Sequence, residues 1–566
     1  MLPTPTPTQP RRWLLLFSWI ALGAMPVVYI ATQAIAASRN IVFWDEFDTA
    51  LALILRIHDG ADWNELLQRF FAINNEHRTA TSRLMFAVSY WLTGTVNFHV
   101  IGAIGNLFFV ATCVILVVAV KGWERRVRIG VVLAFLMFQL EHFESFIWSG
   151  ASIDHFQVVM LVVGAIAALA RATRGGVALA VLLGFLATFT LAQGVLVWPI
   201  GACLLWHQRR WHPLASWCVC GVAVVTMFLH GFEINPGHHI AGVTNRSLGV
   251  ILLYWLALLG APLTLGDAGF APWPGAVLLI GFVMLVARGA MRREPVALSS
   301  AVFAIGALGL VAVGRSGIAG DEINSRYMVL GALAWALLIF ILLEFSAVPQ
   351  KPFRQLVWLT PALAAFNLCA NLKFAPLIDI FVEVRDRAAT SFMQYGEDGR
   401  GITRLHPLNG HADVLLKMAA ERGVYRLPSV SHEASFPNAQ PNPRIITHVD
   451  ELVVNDRAVT IGGWAMIPGR VSRRDEIHVV LRSDKSNLVF STVTLQRTDV
   501  AKAYNEPKWR GCGFRAVIER ERLPAEDFTV GVLIAGRSRA EFLMTSNEIH
   551  LAPGKPANVQ KTADVR

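Results

Sequence analysis

The segment 38–96 carries the densest set of ionisable residues in the apolar half of the chain. Its candidate residues are Asp45, Glu46 and Asp48 in NIVFWDEFD, and Glu76, His77 and Arg78 in NNEHR. Crowded carboxylates beside low-dielectric material have a raised proton affinity, so such a cluster can supply a general base or a cation site. The alternative is a solvated loop with helix-capping acids, and Asp48 precedes TALALILRIH at a position suited to N-capping.

Two other clusters of ionisable residues stand at the ends of apolar runs. They are Glu141, His142 and Glu144 in QLEHFESFIWSG with Asp154 and His155 in SIDHF, and Arg315, Arg326 and Tyr327 in GRSGIAGDEINSRY. Ionisable groups at membrane depth are costly and usually face a cavity or a partner, although the first cluster also suits a helix end that has emerged into water. Arginine donates bidentate hydrogen bonds to phosphate, so Arg326 is either a phosphate ligand or a snorkelling side chain at the interface.

These residues do not predict a defined metal site, although the acidic clusters are compatible with a divalent cation as a cofactor. His238 and His239 in INPGHHIAG are adjacent, and adjacent histidines in a strand or loop point apart, so we interpret them as loop-surface residues. Five of the six cysteines fall inside apolar runs and leave only Cys512 in a polar region. This distribution excludes a disulfide framework and a cysteine-based metal site.

Three short helices are predicted in the segment 38–96, where they would position its polar residues. The first is TALALILRIH, the second follows Asp62 with Glu65 three residues on, and the third runs from about Thr79 to Trp91. Asp62 and Glu65 form a capping-box-like pair. These helices are too short or too polar to span a bilayer, so we expect them to lie on the outer leaflet beside the lipid headgroups.

The composition identifies the class of protein that carries this segment. Of 566 residues, 54% are hydrophobic and 16% are charged, against roughly 45–50% and 25% in soluble domains. Together with a mean hydropathy of +0.48, this excludes disordered, collagen-like, coiled-coil and small disulfide-rich chains and matches many membrane spans of about 20 residues. The apolar runs are approximately 13–37, 97–120, 129–147, 153–171, 176–190, 193–207, 213–232, 249–266, 274–288, 297–314, 327–346 and 355–372.

The distribution of basic residues predicts the orientation of these runs. The net charge is +10, but the basic residues stand in short clusters between apolar runs, which indicates a positive-inside membrane protein and no nucleic-acid partner. The clusters are 121–128, 171–174, 207–212, 287–294 and 350–355. All are cytoplasmic only if the Gly/Pro-interrupted run 249–266 is a re-entrant or interfacial helix. About eleven spans then connect a cytoplasmic tail at 1–12 to an outer carboxyl end.

The chain becomes polar after the last apolar run, and this change predicts the domain boundaries. Residues 13–374 form a polytopic α-helical membrane domain, and 375–444 form an outer helical segment and linker. From 445 to 555, alternating segments such as AVTIGGWAMI, EIHVVLRS and FRAVIERE predict a soluble all-β sandwich, called the β module below. Residues 556–566 are expected to be a disordered tail.

The order of elements resembles the GT-C superfamily of membrane glycosyltransferases. One span, an acidic cluster, interfacial helices, NEHR, a helix ending at Gly94 and a second span from NFHVIG give this layout over about 13–372. The motifs that carry the resemblance are WDEFD, NEHR and SRY. The resemblance implies a polyprenyl-phosphate-linked sugar as donor and a catalytic base in the first outer loop, which matches Asp45 best, with Glu46 as the close rival.

The same resemblance implies roles for the other candidate residues. The donor-phosphate ligands would be Arg78, Arg326 and Tyr327. The supporting or acceptor-site residues would be Asp48, Glu76, His77, Glu141, His142 and Glu144. Arg78 stands where many relatives have proline, so the resemblance does not predict the conformation of this loop.

The β module resembles sandwich domains appended to bacterial surface-polysaccharide glycosyltransferases. The shared motifs are Gly463-Trp464-Ala465, Arg497-Thr498-Asp499-Val500-Ala501 and Gly513-Phe514. This leaves two interpretations of Trp464, which either presents an exposed ring to a glycan or belongs to the core of the sandwich.

The sequence therefore predicts a GT-C-type glycosyltransferase of the bacterial inner membrane, with its carboxyl-terminal domain in the periplasm. Its partners would be a polyprenyl-phosphate-linked sugar, membrane lipids and a glycan, lipid or protein acceptor. The rival is a non-enzymatic transporter, flippase or assembly component for lipid-linked glycans. A transporter should carry ionisable residues near the midplane of broken helices, whereas here they stand at the outer ends. A polymerase or ligase would require a large outer loop later in the chain.

Overall fold

The computed structural model describes two compact units of the chain. The helical unit comprises Met1–Val382 with Arg422–Tyr425, and the C-terminal unit comprises Glu383–Glu421 with Arg426–Arg566. The described residues are 9–232, 247–316, 323–346, 353–395, 405–407, 409–425, 427, 431, 433–456, 458–470, 476–495, 497–536, 539–551 and 559–560. His238 and His239 lie outside them.

The helical unit is built from α-helices joined by short 3-10 and π-helical segments. The helices are α1 Gln9–Ala37, α2 Ala52–His58, α3 Trp63–Phe70, α4 Ala80–Thr93, α5 Phe98–Ala119, α6 Trp123–Met137, α7 Phe143–Ile147, α8 Ser149–Ala151, α9 Gln157–Ala170, α10 Arg174–Thr188, α11 Val197–His207, α12 Trp211–Leu229, α13 Leu248–Gly260, α14 Pro272–Ala287, α15 Ala290–Arg293, α16 Pro295–Arg315, α17 Ser325–Ser346 and α18 Arg354–Tyr395. All twelve predicted apolar runs are helical.

Among the described residues, seven helices are long and apolar enough to cross a membrane. They are Leu16–Ala37, Phe98–Ala119, Ser149–Ala170, Trp211–Leu229, Pro295–Arg315, Ser325–Ser346 and Arg354–Asp386. The bent pair formed by α6 and Leu140–Ile147 is an eighth candidate, and four shorter apolar helices, one of which covers the run 249–266, complete the set. These helices are compatible with a multi-pass membrane domain, while the eleven spans and the orientation stay predictions.

The run 129–147 is a broken helix, where the sequence predicted one span. α6 ends at Met137, and the two helical pieces are bent by 53°. Two asparagines of α18 satisfy the backbone groups that the break releases: Asn367 donates to the Phe135 and Phe138 carbonyls at 2.8 and 2.9 Å, and Asn371 accepts from the Leu140 amide at 2.9 Å. Unsatisfied backbone groups are very costly at membrane depth, so these side chains permit the break.

The segment 38–96, predicted to be the first outer loop, has the helices that the sequence predicted. Asp62 caps α3 by accepting a hydrogen bond from the Glu65 amide at 2.8 Å, and α4 ends at Gly94, whose φ is +72°. The predicted N-cap at Asp48 is wrong. The helix begins at Phe47 as a π-helical turn, Phe47–Leu51, and Asp48 lies inside its first turn.

The C-terminal unit contains a β-sandwich, as predicted. Its strands are β1 Gln440–Pro441, β2 Ile446–Val454, β3 Ala458–Met466, β4 Glu476–Arg482, β5 Asn487–Ser491, β6 Val493–Leu495, β7 Gly513–Glu519, β8 Asp527–Ala535, β9 Ala540–His550 and β10 Val559–Gln560. One sheet has the order β1-β9-β8-β4-β5, with β10 beside β9, and the other has the order β2-β3-β7-β6. Alternate residues of both sheets, such as Ile461, Phe514 and Val532, share one apolar core.

Two of the predicted domain boundaries differ from the structure. α18 continues through the boundary at 374 to Tyr395, and it is followed by α19, Asn409–Glu421. The composition becomes polar after 374, but the helix still buries single apolar residues such as Ile378 and Ala389, which are 4% and 0% exposed. Two residues of the predicted disordered tail, Val559 and Gln560, pair with β9, and the rest of that tail lies outside the described residues.

A buried charge cluster joins three helices at the end of the helical unit that the basic residues predict to be cytoplasmic. Glu344 of α17 accepts from the Nε atoms of Arg125 and Arg128 of α6, both at 2.7 Å. Arg125 also pairs with Glu294, which precedes α16. The side chains of Arg128 and Glu344 are 5% and 9% exposed, so this pair is shielded from solvent.

We expect Glu344→Ala to lower the free energy of unfolding by about 3 kcal/mol, because it removes the carboxylate shared by two arginines, one of them buried. Thermal unfolding of the purified protein in detergent would measure this loss. Glu124→Ala, a change of the same kind on α6, is the matched control. Equal midpoints for the two variants would contradict a stabilising role for the cluster.

Candidate active site

A cavity of about 260 Å³ in the helical unit collects candidate residues from distant parts of the sequence. Six predicted site residues line it: Asp45, Glu46, Glu76, His77, Arg326 and Tyr327. The same wall contains Asp154, His155, Gln193 and Arg315. The first loop, the SIDHF segment and the start of α17 therefore meet at one site.

Two π-helical turns border the cavity. Phe47–Leu51 begins two residues after Asp45, and Ser152–Phe156 carries Asp154 and His155. π-helical turns are rare and occur frequently at functional sites. The Asp45 carbonyl accepts from the Thr49 amide at 2.9 Å and from the Thr49 hydroxyl at 2.8 Å, so its backbone is fixed while its side chain stays exposed.

The residue before Asp45 has a strained backbone. Trp44 has a φ of +50°, in the left-handed region that non-glycine residues rarely occupy. Such a conformation costs on the order of 1 kcal/mol or more and persists only where the surroundings enforce it, often at active sites. The left-handed turn reverses the chain, which allows the Glu46 side chain to reach back to the Phe43 amide at 2.7 Å.

The geometry distinguishes the two rival carboxylates. Glu46 is fully buried, and its Oε1 accepts from the Gly150 amide at 2.6 Å and from the Ser149 hydroxyl. A Cβ at Gly150 would lie 3.2 Å from Glu46 Cγ, so a glycine is favoured there. Glu46 therefore connects the first loop to α8, whereas Asp45 presents an exposed carboxylate that lines the cavity.

NNEHR folds into a tight turn that directs Glu76 and His77 into the cavity wall. Asn74 and His77 exchange backbone hydrogen bonds at 2.8 and 2.9 Å, and Asn75 has a φ of +55°, a conformation that asparagine tolerates. His77 Nδ1 accepts from the Ala192 amide at 3.1 Å, so we assign the proton to Nε2. This Nε2 lies 3.4 Å from Glu76 Oε1, so His77 supports Glu76 as a neutral donor.

Two arginines contribute positive charge to the cavity. Arg315 donates from Nη2 to Glu76 Oε1 at 2.8 Å. The Arg326 guanidinium lies 5.4 Å from the centre of the Trp148 ring and 5.3 Å from that of Tyr327, within the range of cation–π interactions. The guanidinium also bonds to the side chain of Tyr327 and interacts electrostatically with Glu144 and Asp45.

The SIDHF segment supplies two cavity-lining residues, Asp154 and His155, to which the sequence assigned no specific role. Asp154 lines the cavity and accepts a hydrogen bond from the Ser82 hydroxyl. Three buried polar atoms of lining residues have no hydrogen-bond partner among the described residues: Trp148 Nε1, His155 Nδ1 and Gln193 Nε2. Buried polar atoms are nearly always paired, so such a group is typical of a site that is completed by a ligand or water. The signal in the sequence was an ionisable pair at the outer end of an apolar run.

Arg78 does not line the cavity, and its contacts are with the backbone, where the sequence predicted a contact with phosphate. Its guanidinium donates to the carbonyls of Phe71, Phe228 and His230, and the bond to Phe228 is 2.8 Å long. Carbonyls at the end of a helix attract cations, and two of these three lie at the end of α12. Arg78 therefore fixes the first loop to α12.

Arg83 of α4 acts in the same way at the end of α3. Its Nη1 donates to the Phe70 carbonyl at 3.1 Å and to the Ala72 carbonyl at 2.5 Å. Burial lowers the pKa of Arg83 to about 10, so the side chain stays protonated at neutral pH. Both arginines therefore bind carbonyls at the end of α3, and Arg78 also binds two at the end of α12.

Four other predicted residues also lie outside the cavity lining. Glu141 and His142 are fully buried at the break after α6, where Glu141 Oε2 accepts from Gln139 at 3.0 Å. Glu144 accepts from the Arg326 backbone amide at 3.2 Å, so it supports the start of α17. Asp48 is exposed on its helix. The predicted acceptor-site role has no geometric support at these positions.

No metal centre is evident in the described part of the chain. Groups of three or more His, Cys, Asp or Glu side chains that could hold an ion are absent among these residues. The divalent cation left open by the sequence therefore has no recognisable ligand set there, and the mechanism proposed below uses only side chains.

Trp464 of the β module is neither fully exposed nor part of the sandwich core. It is half-buried on the face of β3 opposite the sandwich core, where its ring centre lies 5.9 Å from that of Tyr504. Arg497 donates to Asp499 at 2.7 Å and also pairs with Asp450, which fixes the helix α20, Thr498–Ala503, over this face. The shared motifs thus have a structural explanation, and glycan contact by Trp464 stays a prediction.

No protein-family model, curated protein or solved structure matches this chain. Its function is therefore inferred from the residues and the geometry of the site.

Because Glu46 accepts three hydrogen bonds in a buried position, Glu46→Gln would turn an amide NH₂ towards at least one of those donors. We expect the free energy of unfolding to fall by about 2 kcal/mol, the cost of an unsatisfied buried polar group. Asp45→Asn, at an exposed side chain, should change it by less than about 0.5 kcal/mol. Chemical denaturation of both variants in detergent tests this difference, and a fully stable Glu46→Gln protein would refute the structural role.

Proposed function

We propose that this protein is a membrane glycosyltransferase that moves a sugar from a polyprenyl-phosphate donor to a glycan, lipid or protein acceptor. The observation that carries the proposal is a single cavity that is lined by both Asp45 and Arg326. Transfer from a lipid phosphate requires a base for the acceptor and positive charge for the leaving group. In this proposal the protein lies in the bacterial inner membrane, and the cavity and the β module face the periplasm.

The lining of the cavity supports a substrate that is partly lipid. Its polar residues stand beside an apolar wall formed by Phe228 and Phe232, at and after the end of α12, and by Leu310 and Val313 of α16. Leu310 and Val313 are 45% and 41% exposed, so α16 continues this wall onto the outside of the helical unit. A lipid-linked sugar needs both kinds of surface, because its tail must stay in the bilayer while its sugar reaches polar groups.

In the proposed reaction, Asp45 removes the proton from an acceptor hydroxyl while the hydroxyl oxygen attacks the anomeric carbon of the donor sugar. A new carbon–oxygen bond forms, and the bond from the anomeric carbon to the phosphate oxygen breaks. The products are the glycoside with inverted configuration, the polyprenyl phosphate and a protonated Asp45, which then releases its proton to water. Arg326 stabilises the charge of the departing phosphate.

The charge arrangement supports Arg326 over Arg315 as the phosphate ligand. Arg315 is already bound to Glu76, so part of its charge is compensated. Arg326 has no such direct ion pair among the described residues: two aromatic rings hold it, Glu144 accepts from its backbone amide, and Glu144 and Asp45 act on its guanidinium electrostatically. Glu76, His77 and Arg315 then form a neighbouring polar wall for the sugar or the acceptor.

The second candidate function is a transporter, flippase or assembly component for lipid-linked glycans. The observation in its favour is the break after α6, since broken helices with buried polar residues form the binding sites of transporters. Glu141 and His142 lie at this break and are fully buried. Turnover of a lipid-linked sugar by the purified protein would distinguish an enzyme from a transporter.

If Asp45 is the base, Asp45→Asn should lower the rate of sugar transfer by about 10²–10⁴-fold, the usual contribution of general base catalysis. The assay uses purified protein with polyprenyl-phosphate sugars and measures release of polyprenyl phosphate. Asp48→Asn is the matched control, because Asp48 lies in the same loop but outside the cavity lining. Full activity of Asp45→Asn would exclude it as the base.

We expect Arg326→Gln to lower kcat by about 10²–10³-fold, since one donor to a developing anion is lost. Arg293→Gln is the matched control, because the Arg293 guanidinium is also stacked, 4.5 Å from the centre of the Phe345 ring, but lies outside the cavity lining. The measurement is the same release assay over a range of donor concentrations. Equal kcat values for the two variants would argue against phosphate stabilisation by Arg326.

A further inference from the structure

We infer that Tyr425 is a positioning residue for Asp45, although 380 residues separate the two in the sequence. The inference rests on the proposed function, because Asp45 is a base only if the protein transfers a sugar. It concerns the segment Arg422–Tyr425, which follows α19 and belongs to the helical unit.

The segment Arg422–Tyr425 is attached to the first outer loop at both of its ends. Arg422 donates from Nε to Asp59 Oδ1 at 2.7 Å, directly after α2. The Val424 carbonyl accepts from the Val96 amide at 2.9 Å, directly before α5. A chain segment from beyond the last apolar run is therefore built into the loop that carries the candidate base.

The phenol of Tyr425 holds the backbone that leads to Asp45. Its hydroxyl donates to the Asn40 carbonyl at 2.9 Å and accepts from the Val42 amide at 3.1 Å. Tyr425 is 2% exposed, and its ring packs edge-on against Phe98, with ring centres 5.2 Å apart. Water therefore cannot replace the hydroxyl at these two backbone groups.

The same short stretch of backbone is also fixed from the other side. The Asn40 side chain accepts from the Phe98 amide at 2.8 Å, and Phe43 donates its amide to Glu46. Only Phe43 and the strained Trp44 stand between Val42 and Asp45. With both ends of this turn held, the left-handed conformation at Trp44 is enforced, and the direction of the Asp45 carboxylate follows from it.

Loss of the Tyr425 hydroxyl should therefore displace Asp45 without removing any group that contacts a substrate in the cavity. A displacement of about 1 Å at a reacting group can lower a rate by about 10²-fold. Tyr425→Phe keeps the ring on Phe98, so the fold is preserved. We expect kcat to fall by about 10- to 100-fold and KM for the donor to stay within about twofold, since the phosphate ligand is unchanged.

The matched control is Tyr90→Phe. Tyr90 is in α4 of the same loop, and its hydroxyl bonds to His58 Nδ1 at 2.9 Å, away from the residues 40–42. A merely structural role of tyrosine hydroxyls in this loop would lower thermal stability in both variants and leave kcat unchanged. Arg422→Gln, which weakens the attachment at Asp59 and keeps the phenol, should lower kcat to a smaller extent.

Hydrogen exchange gives a second measurement that does not depend on activity. In full-length Tyr425→Phe, peptides that cover residues 39–48 should exchange faster than in the wild type, while peptides of α4 should be unchanged. Wild-type exchange in 39–48, or a wild-type kcat in a folded Tyr425→Phe protein, would overturn the inference. If the wild type transfers no sugar from any lipid donor, the proposed function fails, and the exchange measurement alone decides whether Tyr425 holds this loop.

Discussion

The fully buried carboxylate of Glu46 accepts hydrogen bonds from the Phe43 and Gly150 amides and from the Ser149 hydroxyl. An ionised carboxylate that leaves water loses several kcal/mol of hydration, and only nearby donors can offset this loss. The first outer loop and α8 must therefore fold together. The orientation of Asp45, the strained turn at Trp44 and the position of Trp148 beneath Arg326 all depend on this one connection.

The same requirement explains the other buried polar residues around the site. Arg78 and Arg83 bind backbone carbonyls where helices end, and Asn367 and Asn371 bind the backbone groups released by the break after α6. Away from water, a helix can end or bend only where a side chain replaces the lost hydrogen bonds. Some polar residues of the helical unit thus stabilise an irregular backbone, and others line the cavity.

The proposed chemistry depends on the separation of these two groups of residues. In the proposed reaction the base must reach the acceptor, which the exposed Asp45 would do, whereas the adjacent Glu46 is fully buried and holds the backbone. Arg326 and Arg78 differ in the same sense: aromatic rings hold one guanidinium, and backbone carbonyls occupy the other. A polar cavity bounded on one side by apolar residues of α12 and α16 is suited to a substrate that is soluble in lipid at one end only.

The sequence by itself determined the apolar helices, the cap at Asp62, the end of α4 at Gly94 and the alternating strands, because each depends on residues close together in the chain. It also identified Asp45 and Arg326 as candidates from residue type and position. Only the tertiary structure showed that Glu46 is buried and Asp45 exposed, and that the run 129–147 is broken. It also showed the contacts of Arg78 with α12 and those of Asp154, Arg315 and Tyr425 with the first loop. The reason is physical. The neighbours of a polar residue in the sequence are the same whether its side chain faces a cavity or a backbone amide, and the group that it faces belongs to a segment distant in the chain.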